Sequence, residues 1–296
     1  MKERPFSKFQ ILANVTMILW TLIVILPFLL LVLSSFTDEN TLVANGYSYF
    51  PKKLSLAAYA YIIQSGTKII KAYGVSILVT LLGTVIHVLL AALMAYPLSL
   101  KKLPGRNFLA FFVFFTMLFN GGIVPSYLMW TGIFKIKDTL MAQLLPNFLL
   151  SAWNVMIIRT YFSSNIPESL YEAAEIDGAS QLRIFWQLVL PLGKPILVTM
   201  GTFAGLMYWN DWTNGLYYIV RNKDLYNVQN LLNQMTTNIQ YLATSTNSNV
   251  NSAAASIPST AIQMAIAVVA ILPIMLIFPT FQKYYSKGLM LGGVKG

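Results

Sequence analysis

The chain has 296 residues, of which 56% are hydrophobic and only 10% charged, and its formal net charge is +10. A soluble domain carries a charged share nearer ~25%, so this composition excludes an ordinary water-soluble protein and predicts several membrane spans. The lack of cysteine and the single histidine, His87, exclude a disulfide framework, thiolate chemistry, Cys-ligated metal and any scheme that needs two histidines.

Lys2, Arg4 and Lys8 precede an apolar run from about Ile11 to Phe36. It is longer than a signal-peptide core and lacks a clear cleavage site, which predicts a retained membrane helix. Residues 37–71 are mixed and polar and read as an exposed loop. A second span runs from about Ala72 to Leu100, then a basic turn, Lys101 to Arg106, leads to a third from Phe108 to Trp130. The fourth covers Leu140 to Phe162, the fifth Ile196 to Val220 and the sixth Ile257 to Phe281. Each exceeds the ~20 residues that cross a bilayer's hydrocarbon. Gly121-Gly122 with Pro125, and Pro146 with Asn147, mark expected irregularities in the helices.

Six crossings put both termini on one side. With that side cytoplasmic, twelve Lys and Arg residues fall inside and eight outside, and the short turn Lys101-Lys102-Leu103-Pro104-Gly105-Arg106 tips the orientation. In a chain this apolar, the positive charge suits loops beside anionic headgroups rather than nucleic acid. The fold expected is therefore an all-α membrane protein with six transmembrane helices and both termini cytoplasmic. Residues 1–10 form the N-terminus, 11–281 the transmembrane domain, 221–256 a long Asn/Ser/Thr-rich outer loop and 282–296 a basic tail.

One segment, residues 165–195, interrupts the apolar pattern with helical order of its own. Asn165 and Glu168 have capping-box spacing, with Pro167 suited to the first turn. Leu170, Ala173, Ala174 and Asp177 recur on one face, and Gly178 offers a left-handed stop. From Ser180 a second short helix carries Leu182, Phe185, Trp186 and Val189, ended by Pro191. The first helix holds Glu168, Glu172, Glu175 and Asp177. An in-plane lipid-binding helix would carry Lys and Arg instead, so a knob that docks into another protein is the sharper reading, against a helix that merely shortens a loop.

Glu172-Ala173-Ala174, Asp177-Gly178-Ala179, Phe185, Leu190-Pro191 and Pro195 resemble the EAA loop of ATP-binding-cassette (ABC) importer permeases of the carbohydrate, maltose-type branch. The likeness extends over essentially the whole chain, including the C-terminal YYSKGLMLGGVKG. Phe119 to Tyr127 is similar to the subgroup that imports complex oligosaccharides and polysaccharide fragments. What the resemblance implies is the type I ABC importer permease fold in a bacterial plasma membrane. It also implies a homologous second permease, two cassette ATPase subunits that bind ATP and magnesium, an extracytoplasmic sugar-binding protein and a carbohydrate substrate. This chain would hold no cofactor and no metal. Glu172, Ala173, Ala174, Asp177, Gly178 and Ala179 would couple it to the ATPase. The loop 221–256 would reach the binding protein, and the tail would reach the ATPase.

Polar groups within spans are costly and mark candidate sites. Tyr208-Trp209-Asn210-Asp211-Trp212 resembles the W-N-[DE]-[FW] pattern of sugar permeases, since rings stack on sugar faces and amides or carboxylates bond hydroxyls. An aromatic belt with a helix–helix hydrogen bond accounts for the same residues. If the stretch is helical, Tyr208, Asp211 and Trp212 share one face and Asn210 points to a neighbouring helix. Asn120 and His87 are further pathway candidates, His87 being better read as a packing residue. No phosphate-loop motif or paired catalytic groups occur, so the chain is no enzyme and another subunit must hydrolyse ATP. A self-contained secondary transporter is the alternative, but it should show an internal repeat and midplane acids. No repeat relates the two halves, and only Asp211 lies within a predicted span.

Overall fold

The computed structural model describes residues 8–64, 66–244 and 259–290. Among these residues the regular structure is helical, and the one strand-like feature is an isolated antiparallel bridge between Thr37 and Leu54. The described residues fall into two compact units, one drawn from 1–67 and 234–274, the other from 68–233 and 275–296.

In the first unit, α1 (Lys8–Ser35) exposes apolar side chains all round and buries only Ser34 and Ser35. An apolar helix with no buried stripe needs lipid as its solvent. The following residues are not an open loop: α2 (Glu39–Asn45) and α3 (Ala57–Gln64) fold within it. The segment is tied by Asp38, whose backbone N–H donates to the Lys53 carbonyl at 3.0 Å and whose carboxylate pairs with Lys53 at 3.3 Å. The Glu39 carboxylate accepts from the backbone N–H groups of Thr260 and Ala261, at 2.9 and 2.8 Å. These donors open the last helix, which spans Ser259–Met290, and a carboxylate satisfies its orphan N–H groups well.

The second unit is built on α4 (Gly66–Ser99), a helix of 34 residues. Its buried stripe runs through Ser76, Val79, Gly83, His87, Ala91 and Ala95, the i, i+3, i+4 spacing that faces a single partner layer. Ala91, Ala92 and Ala95 are fully buried, and such small residues let neighbouring helices approach closely. They meet Ile158 and Phe162 of α8 (Ala152–Asn165) together with Phe185 and Val189 in one apolar core.

Several expected spans are broken. Two helices, α1 and α4, are long and apolar enough to cross a membrane unaided. The third expected span divides into α5 (Arg106–Leu118) and α6 (Ile123–Leu128), the latter prolonged by a π-turn at Met129–Ile133, with a bend of 109°. Gly122 there has φ +86°, and Asn120 Oδ1 accepts from the Gly122 N–H at 2.8 Å. The fourth is α7 (Met141–Leu144) and then α8, because Pro146 and left-handed Asn147 (φ +66°) stop the first helix. The glycine- and proline-marked irregularities thus occur where expected. In place of the fifth, α9 (Glu168–Ile176), α10 (Gln181–Ile184), a π-turn at Phe185–Val189 and α11 (Leu190–Leu192) precede α12 (Lys194–Trp209). Residues 181–192 meet α12 at 80°, so the chain turns at Gly193, not at Pro191. The helix of the fifth expected span ends at Trp209, and α13 (Thr213–Tyr218) resumes after a gap.

The Asn-rich stretch 221–256 is largely a helix, α14 (Val228–Thr244), whose Val228 and Leu232 are buried. Apolar spacing inside a polar composition hid it. The last helix, α15 (Ser259–Met290), carries an apolar stretch over Thr260–Leu276. Residues 245–258 of the outer stretch, 291–296 of the tail and 1–7 of the N-terminus lie outside the described residues.

Candidate functional site

The segment 165–195 is a two-helix knob, built differently at its start from the expected capping box. Asn165 ends α8, and its side-chain amide donates to the Tyr161 carbonyl at 3.1 Å. Pro167 occupies the N-cap of α9, with no side-chain cap. The other end matches the sequence reading. Gly178 has φ +75°, its N–H donates to the Glu175 carbonyl, and the Ala179 N–H donates to the Ala174 carbonyl, each at 3.0 Å. This pair of bonds is the Schellman motif, and its usual apolar contact joins the residues at its two ends. Here those are Ala174 and Ala179, both packed on the core that holds Phe162 and Phe185. An added Cβ at Gly178 would meet nothing within 4 Å. The glycine is therefore needed for its backbone angle and not for space. Ser180 then caps α10, accepting from the Arg183 N–H at 3.4 Å.

Packing chooses a different face from the one expected. Tyr171, Ile184, Phe185 and Val189 are buried, whereas Leu170, Ala173, Leu182 and Trp186 are exposed. Phe185 and Val189 of the π-turn share the buried side with Ile184, and Leu182 and Trp186 lie off it. Ile176 is 86% exposed and Leu182 67%. An apolar, solvent-facing surface beside Glu172 and Asp177 results.

The buried side of the knob is held by the end of α4 and the basic turn after it. Lys101 pairs with Glu168 at 2.8 Å and Lys102 with Glu172 at 3.1 Å. The hydrogen bond and charge of Lys101 lower the Glu168 pKa, and the hydrogen bond and charge of Glu172 raise that of Lys102. The Glu168 contribution is present above its unfolded pKa and is lost as pH falls through the depressed value. That of Lys102 is present below its unfolded pKa and is lost as pH rises through the raised one. Both pairs therefore hold across the neutral range. Deeper in, the Tyr96 hydroxyl donates to Gln181 Oε1 at 2.6 Å, and Gln181 Nε2 donates to Glu175 Oε1 at 3.1 Å. The Tyr96 ring lies 5.6 Å from Phe185 and 6.2 Å from Tyr171, centroid to centroid.

The second candidate group does not form the expected helical face, because 210–212 is not helical. Tyr208 and Trp209 are buried at the end of α12, Asp211 is buried in the gap, and Asn210 and Trp212 are exposed. The Tyr208 hydroxyl donates to the Leu144 carbonyl at 2.9 Å. Asp211 Oδ1 works as a cap, accepting from the Thr213 N–H at 2.9 Å, the Thr213 hydroxyl at 2.7 Å and the Asn214 N–H at 3.3 Å. Asp211 Oδ2 is buried and has no hydrogen-bond partner among the described residues. Asn120 is exposed in the α5–α6 bend, where its side chain bonds the Gly122 N–H of its own turn. His87 is buried, with Nδ1 2.6 Å from the Phe148 carbonyl and Nε2 2.6 Å from Asn154 Nδ2. A carbonyl can only accept, so Nδ1 carries the proton and Nε2 accepts from the amide. Both ring nitrogens are occupied.

The residues that sequence reasoning missed surround Asp211. Gln143, Asn214, Asn227 and Asn230 are all buried. Gln143 Nε2 donates to the Leu225 carbonyl and to Asn230 Oδ1 at 3.1 and 3.2 Å. Asn214 Nδ2 donates to the Pro146 carbonyl at 3.0 Å and Asn227 Nδ2 to the Asp211 carbonyl at 2.7 Å, while the Asn230 amide donates to the Trp212 carbonyl. Amides satisfy the carbonyls that the helix break leaves open. The density of asparagine after Asn210 is the signal that could have pointed to them. Nearby, Asp138 Oδ1 accepts from the N–H groups of Val220 and Arg221, both at 2.7 Å, and of Asn222 at 3.3 Å. The Arg221 bond is the largest cause of its lowered pKa. No group of His, Asp or Glu side chains among the described residues could hold a metal.

The family described as the binding-protein-dependent transport system inner membrane component matches residues 6–290. Protein LplC of Bacillus subtilis (strain 168) is 36% identical over 274 residues, covering 93% of this chain and 90% of that protein. From the same organism, the polygalacturonan/rhamnogalacturonan transport system permease protein YtcP is 36% identical over 296 residues, the full length of both. Among solved structures, a chain from the crystal structure of a bacterial ABC transporter involved in the import of the acidic polysaccharide alginate superposes with a TM-score of 0.78. It is 25% identical and is matched over 96% of this chain and 100% of that one.

Proposed function

The chain belongs to the family of inner membrane components of binding-protein-dependent transport systems, and from that premise we propose that it forms half of the pore of an ATP-driven importer for a complex oligosaccharide. Members of this family are multi-pass membrane permeases that work with further subunits, which weighs against a self-contained secondary transporter. The carbohydrate assignment draws on relatives named for polygalacturonan, rhamnogalacturonan and arabinooligosaccharide transport. In this reading a homologous permease completes the pore, two cassette ATPases bind ATP with magnesium, and an extracytoplasmic protein delivers the sugar. The chain crosses the membrane six times over 11–281 with both termini cytoplasmic. Residues 221–256 face the binding protein and the tail, 282–296, faces the ATPase.

The observation that carries the proposal is the two-sided knob at 168–192. Its inner face is fixed to its own subunit through Tyr171, Ile184 and Phe185, while Ile176, Leu182 and Trp186 stand exposed beside Glu172 and Asp177. A surface that mixes carboxylates with bare apolar side chains suits a protein groove better than lipid headgroups. Glu172, Ala173, Ala174, Asp177, Gly178 and Ala179 form the docking turn. Along the pathway, Tyr208, Trp209, Asn210, Asp211 and Trp212 remain the candidates to meet sugar, Asn210 and Trp212 being the exposed ones, with Asn120 and His87 as further candidates. Purification of the complex tests the docking role. Ile176→Glu is exposed and spares the core, so the permease should still insert but lose most of its bound ATPase subunit. Full retention of that subunit by Ile176→Glu would overturn the assignment of the knob.

A further inference from the structure

The knob and the Tyr208 region hang on the same helix. On its buried stripe α4 presents Gly83 to the Tyr208 ring so closely that an added Cβ would lie 2.5 Å from Tyr208 Cζ. About two turns towards the start of α4, the Ser76 hydroxyl accepts from the Val228 N–H at 2.8 Å, which brings the start of α14 onto α4. At the other end Tyr96 donates to Gln181, and Gln181 holds Glu175 on α9. Roughly 20 Å of helix separates Gly83 from Tyr96, at about 1.5 Å per residue. The one proline in α4, Pro97, leaves the Leu93 carbonyl without its helical N–H, so its disturbance is confined to the last turn beside Tyr96 and the helix from Gly83 to Leu93 is uninterrupted by proline.

We propose that α4 is the rod joining the docking knob to the Tyr208 region, and that Tyr96 is the positioning residue at its joint. The proposal rests on the reading of 168–192 as the ATPase-docking element. A rod transmits only if its joint is stiff. Tyr96 is only 7% exposed, its ring sits between Phe185 and Tyr171, and its hydroxyl bonds a side chain that in turn bonds α9. Lys101 and Lys102 add two contacts from the same end of α4 to Glu168 and Glu172. The surface pairs are individually weak and screened by salt, whereas the Tyr96 bond is partly buried and keeps its geometry. When the ATPase moves the knob, α4 must move with it, and with α4 the wall against which Tyr208 packs.

The chain has no cysteine, so a pair of spin labels can be placed at Leu81→Cys on the exposed side of α4 and Ser169→Cys on α9, in the assembled complex with cysteine-free partners. The distance between them is measured without nucleotide and after trapping with ATP and vanadate. A stiff joint predicts the same narrow distance in both states. Tyr96→Phe keeps the ring packing and removes only the hydroxyl, and Gln181→Ala changes an exposed residue at the other end of the bond. Each should broaden the distribution in the trapped state while the ATPase subunit stays bound. A shift of the parent distance on trapping would overturn the rod, and parent-like distributions in both variants would overturn the role of Tyr96. Loss of the ATPase subunit in Tyr96→Phe would also overturn it, since the residue would then only shape the docking surface. Failure of the docking assignment itself shows separately, as retention of the ATPase by Ile176→Glu.

Discussion

The basic turn after α4 and the region around Asp211 handle polar groups in opposite ways. At the basic turn, charges meet charges in water: Lys101 with Glu168 and Lys102 with Glu172, all four largely exposed. Around Asp211 the polar groups are buried amides that bond backbone carbonyls and one another, with a single carboxylate used as a helix cap. The exposed pairs can dissociate and re-form at little cost. The buried amides cannot open without stranding donors in an apolar interior, at roughly 1–3 kcal/mol for each unsatisfied group. The difference separates an adjustable fastening from a fixed one, and the fixed one lies where the chain must hold a helix break open within a membrane protein.

The comparison breaks most sharply at Gly215. An added Cβ there would fall inside the Asn230 amide, and Asn230 cannot move without losing Gln143 and the Trp212 carbonyl. Gly215→Ala should destabilise the purified permease by about 3 kcal/mol, as overpacking of a rigid site does, read as a large fall in its thermal unfolding temperature. An unfolding temperature within a degree or so of the parent would mean the amide cluster is soft.

A milder perturbation sharpens the role of the carboxylate. Asp211→Asn keeps an acceptor at the cap position and should cost little, whereas Asp211→Leu removes it and should cost about 1–2 kcal/mol, the usual worth of a lost cap. Equal unfolding temperatures for the two variants would count against the cap. Uptake measured beside stability separates a second role: a transport loss in Asp211→Asn with unchanged stability would place Asp211 against substrate.

The smallest effect is expected at the basic turn. Lys101→Gln with Lys102→Gln should leave stability nearly unchanged in high salt and lower it slightly in low salt, because screening already removes most of a surface pair's contribution. A loss that persists in high salt would show that the pairs are less exposed to solvent than their geometry suggests.

Much of the knob was legible in the sequence, and little of the amide cluster. Gly178 and Ser180 act over three or four residues, so their turn and cap can be read from spacing alone. Asn165 shows the limit of such reading, because its spacing to Glu168 fits a capping box while the chain ends α8 there instead. The π-turn at Phe185–Val189 leaves no local mark in the sequence, and Leu182 and Trp186 are exposed although their spacing groups them with the buried Phe185 and Val189. Gln143 and Asn230, or Asn147 and Asn214, lie far apart in the chain, and no local pattern announces that they meet. For the same reason the fifth span read as continuous: Asp211 looked like a polar residue inside a helix, but its partners come from the residues that follow it and make it a boundary. Even so, the six apolar runs, the glycine and proline breaks and the EAA turn sufficed to identify the family.

Glu39 bears on how the chain is completed. Its carboxylate holds the first N–H groups of the last helix, 221 residues further on in the case of Thr260. A ribosome finishes Glu39 long before it makes Thr260, so throughout most of synthesis and membrane insertion this contact has no second half. It forms only when the last helix arrives. The bond between Glu39 and α15 therefore marks a chain that has reached its last described helix, and a product cut short before residue 260 would lack that mark.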